Sequence, residues 1–268
     1  MPLVGLLLAL AAPVVAQQDA DLEVDLELLL AVDVSRSMSP EELDIQRRGY
    51  AAALTSADVI GAVGGGMLGR IAVSYVEWAG SVSQRVIVPW TLVATPQDAE
   101  AVAAQITATF QRGMRRTSIS GVMDYAATAF EGNGFTGLRR VIDISGDGPN
   151  NQGRGVLEAR DDLRTQGIII NGLPLMTVDA LSSMWGIEDL DTYFANCVVG
   201  GPGAFVLPVR GWAEFPAAVR RKLVLEIADA APAAMIRPAQ YAAPTAPAYD
   251  CLVGEKLWAR NRGYFVIP

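Results

Sequence analysis

The strongest constraint on the fold lies at residues 28–39, LLLAVDVSRSMS, and in the residues just beyond. An apolar run of this kind reads as a strand buried on both faces. It stops in polar residues, and Ser39-Pro40-Glu41-Glu42 then opens a helix. Ser39 takes the N-cap, Pro40 the first helical position, and Glu42 closes a capping box. A buried strand that feeds directly into a helix is the first half of a βα unit, so residues 24–34 are expected to form a central strand and the helix to run to about residue 56.

The rest of the chain repeats the theme. Residues 71–78 (IAVSYVEW) and 82–90 (VSQRVIVPW) are β-rich and flank Ala79-Gly80-Ser81, which predicts an antiparallel hairpin with Pro89 at a strand end or edge. Helices are expected from Thr95-Pro96 to about residue 110 and over 118–130. A strand at 138–145 (LRRVIDIS) leads into the turn Gly146-Asp147-Gly148-Pro149. A helix over 155–165 ends at Gly167, and a strand follows at 168–175. A short helix at 189–195 and a last strand at 204–209 precede a long amphipathic helix over 212–228, with Phe215, Val219, Leu223 and Ile227 on one face. Strands alternating with helices, plus one hairpin, predict an α/β fold: a doubly wound, mostly parallel sheet with one antiparallel edge strand and helices on both faces. In such sheets ligands bind beyond the carboxyl ends of the strands, and Asp33 and Asp147 both lie just past strand ends. Gly64 to Gly69 matches G-x-G-x-x-G, but it follows a helix and precedes a strand, the reverse of the dinucleotide context, and reads as a turn.

Composition narrows the function. The chain has 268 residues, no histidine and a net charge of −8. Without histidine there is no Ser-His-Asp or Cys-His chemistry and no imidazole zinc site. The acidic balance argues against nucleic acid as the main partner. Arg115-Arg116 and Arg139-Arg140 are local basic pairs that read as solvated surface. Residues 1–16, MPLVGLLLALAAPVVA, carry no charged side chain and end in small residues. They read as a secretory signal peptide with cleavage after Ala16, although the usual basic n-region is missing. The expected location is periplasmic or secreted, with no stable membrane span in the mature chain. Export makes a disulfide between the two cysteines, Cys197 and Cys251, the expected state, with two buried free thiols as the alternative. Residues 230–248 are rich in Ala and Pro and read as tail or linker. Residues 250–268 are too short for a domain, but the disulfide would pin them to the body.

Asp33, Ser35 and Ser37 form D-x-S-x-S, one carboxylate and two hydroxyls on alternate residues after a strand. Oxygen ligands of this hardness suit a small divalent cation. Ser and Asp after a strand also commonly cap turns, but Ser39 already performs the capping. Thr117, just before the helix at 118, and Asp147, just after the strand at 138–145, supply two further oxygen-bearing groups. Asp143 stands out as a carboxylate inside a strand. It is either a group supporting the site or, as favoured here, an aspartate near a rim bonded to a neighbouring helix. Glu77-Trp78 is a candidate surface patch, and the five tryptophans, Trp78, Trp90, Trp185, Trp212 and Trp258, read as core or rim.

With these three motifs in order, the chain resembles the von Willebrand factor A (VWA) family, whose metal-ion-dependent adhesion site combines D-x-S-x-S with a distant Thr and a distant Asp. The stretches VSYVEW, DISGDGPNN and CVVGGPGAFVLPV are similar to a bacterial subfamily, domain of unknown function family 1194. The resemblance covers roughly residues 25–228 and implies a three-layer VWA-like domain at 24–229, between the leader and a tail at 230–268. It implies a metal site of Asp33, Ser35, Ser37, Thr117 and Asp147 holding Mg²⁺, or Mn²⁺ or Ca²⁺. It also implies a protein partner whose acidic residue completes the coordination, and no enzyme activity. The family's usual T-D-G is here Gly146-Asp147-Gly148, which loosens one contact and keeps the carboxylate. The alternative is a metal-dependent hydrolase or phosphatase using Asp33. Against it, Ser35 stands where haloacid-dehalogenase-type phosphatases carry a second aspartate, and Lys222 and Lys256 are the only lysines. A third reading is a purely structural interaction domain with a degenerate site.

Overall fold

A computed structural model describes residues 20–108, 113–177, 186–229 and 249–261. The expected signal peptide, the Ala/Pro-rich stretch at 230–248 and Trp185 lie outside the described residues.

The centre is a five-stranded sheet. Its strands are β2 (Leu26–Asp33), β3 (Ile71–Trp78), β4 (Gln84–Val93), β6 (Arg140–Gly146) and β7 (Ile168–Pro174), in the order β4-β3-β2-β6-β7. All pairs are parallel except β3–β4. The expected hairpin therefore forms, with its second strand shifted a few residues along the chain. A separate parallel pair, β1 (Leu22–Val24) with β5 (Phe135–Gly137), was not anticipated; these strands have three residues each and no apolar alternation to signal them.

β2 is the central strand because every one of its residues is buried. Its side chains alternate between two cores. Leu26, Leu28, Leu30 and Val32 face α1 (Pro40–Leu54), α2 (Ala57–Gly64), α3 (Pro96–Ala108) and α7 (Phe215–Ile227). Leu29 and Ala31 face α4 (Ile119–Ala129), α5 (Val156–Thr165) and α6 (Leu190–Tyr193), which continues into a π-helical turn at Phe194–Val198. The result is a three-layer α/β sandwich. Truncating one of the buried leucines of β2 to alanine costs about 2–5 kcal/mol.

The local signals are made as read. Ser39 accepts from the Glu42 N–H while Glu42 accepts from the Ser39 N–H, closing the capping box at the start of α1. Ser118 caps α4, accepting from the Gly121 N–H at 3.1 Å. Gly167, after α5, has φ +74°, a conformation that favours glycine.

Four expectations need correction. Residues 204–209 do not form a strand; they run beside β7 through isolated bridges at Val206 and Val209. Pro208 has no N–H, and Gly201, Gly203 and Pro202 keep the approach irregular. Glu77 and Trp78 are not a surface patch. Both are fully buried, Glu77 because Arg47 of α1 and Arg85 of β4 neutralise it from two sides. Asp143 is bonded to a neighbouring helix as expected, but deep in the core, not at a rim: its carboxylate lies 2.6 Å from Lys222 Nζ of α7. Residues beyond 248 are not all tail, because α8 (Val253–Asn261) is helical and docked. Cys197 and Cys251 are joined in a disulfide.

Candidate metal centre

Strand order places the site. β3 lies on one side of β2 and β6 on the other, so the chain reverses direction across the sheet at the carboxyl end of β2. This is the switch point at which doubly wound sheets open a crevice. Asp33 is the last residue of β2, and Asp147 follows the last residue of β6.

Backbone bonds draw three loops together there. The Met114 N–H donates to the Val34 carbonyl at 2.8 Å, tying the loop before α4 to the loop after β2. The Thr117 N–H donates to Asn151 Oδ1 at 3.0 Å, and the Asn151 N–H returns a bond to the Thr117 carbonyl at 2.8 Å. These two bonds tie Thr117 to the loop that carries Asp147. Asn150 anchors the same loop from behind, accepting from the N–H of Ser120 at 3.0 Å and from its hydroxyl at 3.2 Å.

Within this frame the D-x-S-x-S residues contact one another directly. The Ser35 N–H donates to Asp33 Oδ1 at 2.7 Å, and the Ser35 and Ser37 hydroxyl oxygens lie 2.9 Å apart. Asp33 is fully buried, Ser35, Thr117 and Asp147 nearly so, and Ser37 is partly open. All five expected residues therefore sit on the loops at one end of the sheet. Among the described residues no three acidic, histidine or cysteine side chains converge. Besides the two aspartates, the side-chain oxygens on offer to a cation here are the hydroxyls of Ser35, Ser37 and Thr117.

Asp33 is electrostatically unsatisfied. Burial raises its pKa well above the ordinary carboxylate range, and the charge of Asp147 raises it further. The Ser35 N–H and hydroxyl and the Asp147 backbone pull the other way without cancelling the effect. Asp33 Oδ2 is buried and accepts no hydrogen bond from the described residues. A buried carboxylate oxygen without a donor is costly, and a divalent cation between two aspartates would remove that cost. The residues present thus fit a hard cation.

Gly146 matters to this fit. It follows Ser145, the last residue of β6 paired with β2, and a Cβ there would fall 3.2 Å from Asp33 Oδ2 and 3.5 Å from the Trp78 ring. A side chain at 146 would therefore press on Asp33 Oδ2 beside buried Trp78.

Several supporting groups carried no warning in the sequence. Asn150, Asn151 and Gln152 hold the loops together, a role that the resemblance of DISGDGPNN did not assign to them. Tyr193 accepts from the Asn150 N–H at 3.1 Å, a contact between residues far apart in the chain that no local pattern announces.

Comparison with known proteins agrees with this architecture. The structure of proximal thread matrix protein 1 from the mussel byssus, described as having a zinc-occupied MIDAS motif, superposes with TM-score 0.57 at 16% identity, covering 78% of this chain and 49% of that one. A von Willebrand factor type A protein from Catenulispora acidiphila gives TM-score 0.53 at 13% identity over 76% of this chain and 43% of that one. The pilus adhesin SpaC from Lactobacillus rhamnosus GG gives 0.55 at 12% identity, covering 79% and 31%. The chain spans about half the length of the mussel protein, or less for the other two. No curated protein sequence matches it significantly. The fold is VWA-like, and residues 23–231 match one family model; the chain belongs to the family described as protein of unknown function DUF1194.

Proposed function

We propose that this protein is an exported, cation-dependent protein-binding module. The observation that supports the reading is Asp33 Oδ2: a buried carboxylate oxygen with no donor among the described residues, at the end of the strand whose next loop carries Ser35 and Ser37. Ser35, Ser37 and Thr117 would offer neutral oxygens, and Asp33 and Asp147 the charge that balances a divalent ion such as Mg²⁺, Mn²⁺ or Ca²⁺. The cation would supply a positive centre for the acidic residue of a protein partner. The protein's own residues hold the loops in register and keep Asp33 dry.

The likeness to solved VWA structures, one of them described as having a zinc-occupied MIDAS, supports the fold on which such a site is built. A hydrolase using Asp33 is less well supported. Lys222 is committed to Asp143 and Glu226 in the core, Lys256 pairs with Asp250, and neither reaches Asp33. Export is supported by the disulfide, which persists in oxidising compartments, and no helix among the described residues is long and apolar enough to cross a membrane.

The test is calorimetric titration of Mg²⁺, Mn²⁺ and Ca²⁺ into the wild type and Asp33→Ala, together with capture of partners from envelope extract with Mg²⁺ or with EDTA. Saturable binding lost in Asp33→Ala, and a partner lost in EDTA and in Thr117→Ala, are expected. Equal, negligible binding by both proteins would overturn the site. Turnover of phosphate esters abolished by Asp33→Asn would overturn the non-enzymatic reading.

A further inference from the structure

The C-terminal segment is attached to the two loops that complete the candidate site. The Cys197–Cys251 disulfide fixes its start, and the Tyr249 hydroxyl donates to Asp189 Oδ2 at 2.9 Å. From there α8 reaches the Asp147 loop. Gly254 packs so closely on Asn150 that a Cβ would overlap the Asn150 carbonyl oxygen. Glu255 Oε1 accepts from Asn150 Nδ2 at 2.7 Å. About one turn further on, α8 reaches the other loop: the Arg116 guanidinium lies over the Trp258 ring, 3.3 Å from its centroid.

Arg116 is the residue immediately before Thr117, and its φ is +77°. A non-glycine residue holds that conformation only when its surroundings impose it. The stack on Trp258 adds one such constraint next to the bonds of the Thr117 and Ser118 N–H groups, holding the Arg116 side chain against α8. Asn150 plays the same part for the other loop, since its amide links α8 to Ser120 and lies on the turn that carries Asp147.

We propose that the segment at 249–261 is a clasp that positions the cation ligands, with Trp258 acting on Thr117 through Arg116, and Gly254 and Glu255 acting on the Asp147 loop through Asn150. The inference rests on the cation-site reading above. Trp258, Gly254 and Glu255 are positioning residues; they set the loops and do not hold the ion. Groups that orient ligands from behind are worth about 10–100-fold in metal affinity.

The experiment titrates Mn²⁺ alone into the full chain as wild type, Trp258→Ala, Trp258→Phe and Cys197→Ser/Cys251→Ser, with thermal melts in EDTA alongside. The Mn²⁺ Kd should rise about tenfold in Trp258→Ala and in the double cysteine variant. Trp258→Phe, which keeps a ring beneath Arg116, should recover most of the affinity. A Kd equal to wild type in folded Trp258→Ala and folded double variant would overturn the clasp. Should Trp258→Ala not fold, Glu255→Ala removes a single hydrogen bond and carries the same readout. If wild type binds no Mn²⁺ at all, the cation-site reading falls. The clasp is then decided by amide hydrogen exchange in EDTA at residues 114–118 and 147–151: faster exchange in Trp258→Ala supports it, and unchanged exchange overturns it.

Discussion

Lys222 of α7 and Asp143 of β6 meet 2.6 Å apart in the interior, and neither has meaningful contact with solvent. Glu226, one helical turn beyond Lys222, pairs with the same ammonium and accepts from Asn171 of β7 at 2.9 Å. One buried cation therefore serves two buried carboxylates. Removing it leaves two carboxylates without charge balance. Lys222→Met should destabilise the protein by about 3–5 kcal/mol, read as the loss in urea-unfolding free energy. The triple replacement Asp143→Asn/Lys222→Met/Glu226→Gln should recover much of that loss.

The same cluster sets a pH dependence. Burial, and then the charge of Asp143, push the Glu226 pKa up to about 7 despite Lys222 and Asn171. In the unfolded chain the group titrates near its ordinary value of 4.5. Between those two values the native state holds a proton that the unfolded state has released. Stability therefore falls as pH rises through that window and levels off above it. Unfolding free energies measured across it should drop by about 1–3 kcal/mol in wild type, and Glu226→Gln should show a distinctly shallower slope. An equal slope in both proteins would show that Glu226 is not the group responsible.

Asp33 predicts a crossing of two stabilities. In EDTA, Asp33→Asn removes a buried charge that burial and Asp147 both disfavour, and should raise stability. With Mn²⁺ at a hundred times its Kd, wild type should gain about 2.7 kcal/mol and the variant nothing. Thermal melts with and without the ion would show the order of the two proteins reverse.

Gly146→Thr installs the side chain common in the VWA family. Its Cβ would begin 3.2 Å from Asp33 Oδ2, with Trp78 closing the other side. Overpacking of this kind costs about 1–3 kcal/mol. The variant should be less stable in EDTA and bind Mn²⁺ no better than wild type. A stable variant with tighter binding would mean that the site has room for the threonine.

The disulfide closes a loop across a sequence separation of 54 residues. The chain-entropy treatment gives it roughly 4 kcal/mol. Cys197→Ser/Cys251→Ser should lower the unfolding free energy by an amount of that order, checked by urea denaturation. A change below about 1 kcal/mol would place the stability of the C-terminal segment in its packing instead.

Much of this architecture follows from local patterns. The all-apolar run at 28–32 read as a strand covered on both faces, and Ser39-Pro40-Glu41-Glu42 as the start of a helix, because both signals act within a few residues. The spacing of Asp33, Ser35 and Ser37 at the end of that run, and the placing of Thr117 and Asp147 at element boundaries, marked the candidate ligands for the same reason. What the patterns could not carry is which strand lies beside which. Only the order β4-β3-β2-β6-β7 brings the end of β6, and with it Asp147, beside the end of β2 at Asp33. The same limit explains the misreadings. Glu77 looked exposed because charge next to a turn usually is, yet Arg47 and Arg85 arrive from α1 and β4 to neutralise it. Asp143 looked like a rim residue because the partner that lets it stay buried, Lys222, is far away in sequence. The residues beyond 249 read as too short for a domain yet pinned by a disulfide, which is present; their contacts with Asn150 and Arg116 are visible only in the fold. Periodicity and capping are short-range and were fixed by the chain itself. Charge compensation and loop convergence depend on long-range contacts, and only the tertiary structure decided them.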